Sequence, residues 1–224
     1  MDLPEVETIR RRIQLAKPKE AKYCLMIEYL CCARISEIIG EKCPSDATTN
    51  ARGISGQDIK QTVVRVNNQN YDAVVLTIKT AKRHGEIRKI ALPLNKEYEP
   101  FTEQLFNYVR QFGNDKVFPF TRQKAWEHSK EIFSGLEYPI KSYRPFKDGK
   151  PLELVPEHMN PFRTHGLRHL RASELLDVFD FDPVELSLYG GWTLRSMVGV
   201  GSALSRYTHL KWKRYFPKLL QERV

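Results

Sequence analysis

Near the end of this 224-residue chain stands the run Ser205-Arg206-Tyr207-Thr208-His209. Upstream of it lie three further polar groups: Ala33-Arg34-Ile35-Ser36-Glu37-Ile38, a Lys79-Thr80 pair between two strand-like runs, and His165-Gly166-Leu167-Arg168-His169. A tyrosine nucleophile, two arginines, a lysine and a histidine are sufficient to break a phosphodiester without a metal. Guanidinium is the best holder of non-bridging oxygens, being planar, always charged and bidentate. A phenol, whose unperturbed pKa is near 10, needs a partner to manage its proton, and a departing 5′-oxygen needs a proton donor such as lysine.

Each of these residues also has a plainer reading. Arg34 and Glu37 form an i,i+3 pair that on a solvated helix is worth a few tenths of a kcal/mol. Lys79 reads equally as a solvated strand end, with Lys82 competing for its role. His165 alone is a helix N-terminal residue satisfied by backbone. The spacing of three between His165 and Arg168 puts both on one helix face and favours a shared target. His169 is expected to be a buried structural histidine, and Tyr215, beside Phe216, to pack the tail.

The elements that must carry these groups follow from periodicity. Residues 2 to 16 read as a helix, with Asp2 as N-cap, Pro4 in the first turn and Val6, Ile9 and Ile13 at helical spacing. Residues 19 to 33 form a strongly apolar helix, and a short helix runs from Arg34 to Gly40. The Cys43 to Gly56 stretch is a loop. Strands are expected at 58 to 66, 73 to 79 and 87 to 92, the last two joined by a hairpin tip. Helices follow at 96 to 112 and 121 to 134. The segment from Tyr138 to Val155, with Lys-Asp-Gly at its middle, is a hairpin or an irregular insert. Further helices are expected at 165 to 178, 182 to 189, about 200 to 209, and 211 to 222. The fold class is mainly α with a small antiparallel β-sheet (α+β), as one domain over residues 1–224.

Composition narrows the partners. The formal charge is +9, which suits a polyanion. No stretch approaches the roughly 18 apolar residues of a membrane helix, and the N-terminus lacks the pattern of a secretory signal. Cys24, Cys31, Cys32 and Cys43 have no CxxC spacing and no nearby histidine, so no metal site is expected. Cys24, Cys31 and Cys32 read as small core hydrophobes in a reducing compartment, and the chain as a cytoplasmic protein without a membrane anchor.

Taken in order, the four motifs resemble the catalytic domain of the tyrosine recombinase (phage-integrase-type) family. Arg34-Ile35-Ser36-Glu37 is similar to its first arginine box, with the glutamate supporting the arginine. The strand-hairpin-strand around Lys79-Thr80 is similar to the setting of its lysine, His165 to His169 to its His-x-Leu-Arg-His box, and Arg206 to His209 to its nucleophile box. Gly190-Gly191-Trp192 sits where the family has Leu-Gly-His, some members carrying tryptophan there. The likeness spans roughly residues 3 to 215. The 15-residue step from Trp192 to Tyr207 is longer than the family pattern, and the helical N-terminal DNA-clamping domain of such enzymes is absent.

The resemblance implies a site-specific recombinase or integrase that cuts and rejoins DNA through a 3′-phosphotyrosyl intermediate, with no cofactor. Arg34, Lys79, His165, Arg168, Trp192 and Tyr207 are its implied catalytic residues, with Glu37 in support. It also implies double-stranded DNA as partner and a homotetramer assembled on DNA from monomers or weak oligomers. Residues 208–224 would form a tail helix, with Trp212, Phe216, Leu219 and Leu220 docking on a neighbouring protomer or on the same chain. A type IB topoisomerase-like relaxing enzyme and a non-cleaving DNA-binding remnant are the alternatives. Phosphate contacts are expected from Lys82, Arg83, Arg88 and Lys89 on the hairpin, from Arg122 and Lys124 at a helix start, and from Lys141, Arg144, Lys147 and Lys150 in the insert. Gln123, like Arg122 at the start of its helix, has the geometry of a major-groove reader.

Overall fold

The computed structural model describes residues 3–40, 53–80, 87–140, 158–192 and 212–221. Helix α1 (Val6–Leu15) buries Ile9 and Ile13 on one face. Its N-cap is Glu5, without a side-chain cap; the expected cap, Asp2, lies outside the described residues. Helix α2 (Lys19–Leu30) is buried nearly all round from Tyr23 onward, as befits a central element. Met26, Ile27, Tyr29 and Leu30 are fully enclosed, and an apolar side chain so buried contributes about 1.5–3 kcal/mol. The helix stops three residues before the expected end. Cys31 and Cys32 form a turn, Cys32 with a left-handed φ of 46°, and the chain re-enters helix at α3 (Ile35–Ile39), closed by left-handed Gly40.

Strands β1 (Ile59–Val66), β2 (Gln69–Lys79) and β3 (Ile87–Pro93) form an antiparallel sheet in that order. Asn67 and Asn68, both at positive φ, make the two-residue turn between β1 and β2, the conformation that suits the strand twist. They draw polar residues 69 to 72 into β2, four earlier than the apolar pattern suggests. Val74, Leu76, Ile78, Ile90 and Leu92 face the main core. Val64, Ala73 and Ala91 face a smaller cluster completed by Phe216.

Helix α4 (Thr102–Val109) is shorter than expected, beginning beyond Pro100 and ending in a 3-10 turn (Arg110–Phe112). Helix α5 (Arg122–Ile132) is capped by Thr121, whose hydroxyl accepts from the Lys124 N–H at 3.2 Å. Strand β4 (Glu137–Ile140) pairs with β5 (His158–Pro161), so the ends of the insert are paired while its middle lies outside the described residues. Helix α6 (Thr164–Asp177) follows directly. Helix α7 (Pro183–Gly190) has a full capping box, in which Asp182 accepts from the N–H groups of Val184 and Glu185 and Glu185 accepts from that of Asp182.

The expected helix at 211 to 222 is instead two 3-10 turns, Trp212–Arg214 and Phe216–Leu220. Pro217 cannot donate to a helical ladder. Phe216 packs on the sheet face opposite the main core, and Tyr215 is buried against Phe181 and Tyr189. Arg214 and Lys218 both reach Glu185, at 3.2 and 2.8 Å. The tail thus lies on its own β3 and α7.

A buried polar network locks α6 to the other helices. Arg10 pairs with Glu99 at 2.5 Å, and Tyr29 donates to Glu174, which also holds Arg171 at 2.6 Å. The described chain is therefore a mixed α/β protein with a small antiparallel sheet. None of its helices is long and apolar enough to cross a membrane.

Candidate active site

Arg34 sits where the Cys31-Cys32 turn delivers the chain into α3. Glu37 accepts from the Arg34 backbone N–H at 2.9 Å and from its guanidinium at 3.1 Å. Glu37 is 2% exposed, so this is no surface pair. The oxygen that takes the Arg34 N–H also faces Arg88, at 3.2 Å. Arg88 also donates to the carbonyls of Cys31 (2.8 Å) and Tyr189. One buried carboxylate thus supports two arginines from different elements.

Arg168, on the first turns of α6, points into the same region. It donates to the carbonyls of Cys32 (2.7 Å) and Gly190 (2.8 Å), and the Cys32 thiol returns a weak contact to the Arg168 carbonyl. The Trp192 ring covers its guanidinium, 4.3 Å from centroid to carbon. The two glycines before Trp192 explain that placement. A Cβ on Gly190 would overlap the indole, and Gly191, left-handed at φ 65°, would bring a Cβ to 3.1 Å from the Arg88 side chain.

Arg168 is 3% exposed, whereas the Arg34 side chain keeps 28% exposure. Arg34 and His165 therefore meet solvent, with Arg168 behind them. Burial and the charge of Arg34 pull the Arg168 guanidinium down to about 10, still cationic at neutral pH. His165 is held below the usual imidazole range by desolvation, then by His169, Arg168 and Arg34. It is neutral near pH 7 and able to take a proton.

Glu28, on α2, is fully buried. Desolvation raises its pKa well above the usual carboxyl range, although Arg168 opposes the rise. Its Oε2 has no hydrogen-bond partner among the described residues, as fits a neutral acid. Among the described residues the carboxylate that meets these arginines is that of Glu37, beside Arg34 and Arg88. Such a site has an excess of positive charge and favours an anion. Among the described residues no three His, Cys, Asp or Glu side chains group as metal ligands.

Other expectations fare differently. His169 is exposed, not buried: it lies one turn from His165 on the same face, the rings perpendicular at 4.6 Å. Arg88 cannot be a surface phosphate contact. It shares the core face of the sheet with Ile78 and Ile90, while its neighbour Lys89 alternates outward. Lys79 is exposed at the end of β2, paired with Ile87 and on the Lys89 side. Thr80, the next residue, turns inward to lie 3.5 Å from a Cβ built on Gly191. Arg122, Gln123 and Lys124 are exposed at the start of α5, with Gln123 and Lys124 engaging Glu127. Tyr207, Lys82, Arg83, Lys141, Arg144, Lys147, Lys150 and Cys43 lie outside the described residues, as does the helix expected at about 200 to 209.

Sequence reasoning gave Arg88 the wrong place and passed over Glu28. A signal for Arg88 existed in the strand alternation of Ile87 to Leu92, which puts it in phase with Ile90. Glu28 sits inside an apolar helix run, itself a sign of a buried acid. Comparisons with protein-family models, curated proteins and solved structures return no match to this chain.

Proposed function

We propose that this chain is the catalytic domain of a tyrosine recombinase, which cuts and rejoins double-stranded DNA through a 3′-phosphotyrosyl link. The observation that carries the reading is the meeting of Arg34, Arg168, His165 and Trp192, drawn from α3, α6 and the end of α7, around one excess of positive charge. Arg34, His165 and Arg168 come from two of the four sequence motifs and Trp192 from the Gly190-Gly191-Trp192 segment, and a backbone phosphate is the anion that such a charge suits.

In the proposed reaction Tyr207 attacks the scissile phosphorus. A tyrosyl P–O bond forms as the bond to the 5′-oxygen breaks. His165, neutral at pH 7, takes the phenolic proton, and a lysine of the β2–β3 segment, Lys79 or its competitor Lys82, gives one to the departing oxygen. Arg34 contacts the phosphate from the open side while Arg168 supports it from beneath in a low-dielectric setting, where charge acts strongly. Trp192 covers Arg168 and keeps water from it. A 5′-hydroxyl of a second duplex then attacks the phosphotyrosine, so that neither ATP nor a metal is consumed. Strand exchange of this kind calls for a tetramer assembled on DNA.

Nicked suicide duplexes test the reading. Wild type is expected to give an SDS-resistant protein–DNA adduct that persists in EDTA, and Tyr207→Phe none. Adduct in neither overturns the cleavage. Relaxation of a plasmid with no second duplex and no strand exchange would assign the chemistry to a topoisomerase-like enzyme instead.

A further inference from the structure

Arg122, Trp126 and Lys130 follow one another at intervals of four along α5 and therefore line one stripe of its exposed surface. Trp126 is 43% exposed, unusual for so large an apolar side chain. Two cations stand over its ring: the Lys130 ammonium at 5.6 Å from the centroid and the Arg163 guanidinium at 5.8 Å. Arg163 comes from another element, as the N-cap of α6, two residues before His165. The acids of α5 lie to one side. Glu127 is engaged by Gln123 and Lys124 at 3.3 Å each, and Glu131 falls on the face beyond it. Neither of these two α5 carboxylates falls in line with Trp126 and Lys130.

An indole between two cations does more than pack. Each cation–π contact restrains a long side chain that would otherwise sample many rotamers. The Lys130 ammonium and the Arg163 donors not spent on the Phe162 carbonyl stay available to a third party. A protein partner would favour an apolar surround to an exposed tryptophan, whereas here the surround is basic, on a chain of net charge +9. The stripe also adjoins the helix end that carries His165.

We infer that Trp126, Lys130 and Arg163 form a second phosphate clamp, which grips the sugar–phosphate backbone of duplex DNA beside the scissile phosphate. The inference rests on the reading of duplex DNA as partner and adds three residues that the sequence motifs do not contain. The clamp is indifferent to base sequence, because it meets phosphates alone, and it sets how the duplex lies against α5 and the start of α6.

The test is binding of the full chain to a fluorescein-labelled duplex of arbitrary sequence, followed by anisotropy over a series of KCl concentrations. The double variant Lys130→Gln/Arg163→Gln is expected to bind more weakly and to flatten the plot of log K against log [KCl] by about 1–2, the loss of one or two phosphate contacts. Trp126→Ala weakens binding severalfold, and Trp126→Phe, which keeps an aromatic face, restores most of it. Thermal unfolding of each variant confirms that it is folded, and the paired tryptophan variants separate a lost ring from a disturbed helix. A double-variant slope equal to that of wild type, or no binding by wild type at low salt, overturns the clamp. The adduct assay on the same preparations keeps the two proposals apart. An adduct with an unchanged slope sinks the clamp alone, and a flattened slope without any wild-type adduct sinks the cleavage reading alone.

Discussion

His165 is poised by its neighbours rather than by a hydrogen-bonded acid. Desolvation and the charges of His169, Arg168 and Arg34 all disfavour its protonated form, so the acid limb of any reaction that uses it as a base falls below pH 6.5, the usual imidazole value. The sign for stability is the same: the folded state binds fewer protons than the unfolded one, and stability drops as pH falls from the unfolded pKa through the folded one. We expect an NMR titration to place His165 below 6.5 and Arg34→Gln to move it upward. A His165 pKa above that of a model peptide would contradict the arrangement. Arg34, Glu37 and Arg168 were legible in the sequence because their types and i,i+3 spacings state a purpose. The seat that Gly190 makes for Trp192 was not, since it depends on where a ring lands in space.

At the scale of elements, the sheet decides which cations are open to solvent, and so to the DNA that we propose as partner. Arg88 and Lys89 are adjacent and chemically alike, yet alternation sends one to Glu37 and the other to solvent. Arg88→Met is expected to destabilise the protein by about 3 kcal/mol, because it breaks a buried ion pair from one side. Lys89→Met is expected to stay within about 0.5 kcal/mol of wild type. Urea unfolding of the two variants checks the contrast, and equal effects would refute the register. Helices α2, α3, α5, α6 and α7 were readable from their periodicity, whereas their caps were not. The 3-10 tail and the early start of β2 were not, because Pro217 and the Asn67-Asn68 turn override periodicity locally.

Across the whole molecule, the helices are held together by polar groups as well as by the apolar core. Arg10, Glu99, Tyr29, Glu174 and Arg171 fasten α1, α2 and α6 around the same centre. Glu28 stands apart, raised by burial despite Arg168. The folded chain retains a proton there that the unfolded chain releases once the pH passes the ordinary carboxyl range. The Glu28 contribution to stability is therefore complete at low pH and declines as pH rises, by up to about 1.4 kcal/mol per unit within the window. Glu28→Gln keeps the shape and removes that slope. Unfolding free energies from pH 5 to 8 should show the variant gaining on wild type as pH increases, and a constant difference would mean that Glu28 carries no retained proton.

Arg88 and Arg168 are both moored to main-chain oxygens, those of Cys31, Cys32, Tyr189 and Gly190. Such ligands survive any exchange of the side chains that bear them. Substitution around these two cations can therefore drift widely while the path of the backbone stays put. The sensitive places are the two bends that present the oxygens, at Cys32 and at Gly190-Gly191, where an altered torsion would pull those acceptors away from a buried guanidinium.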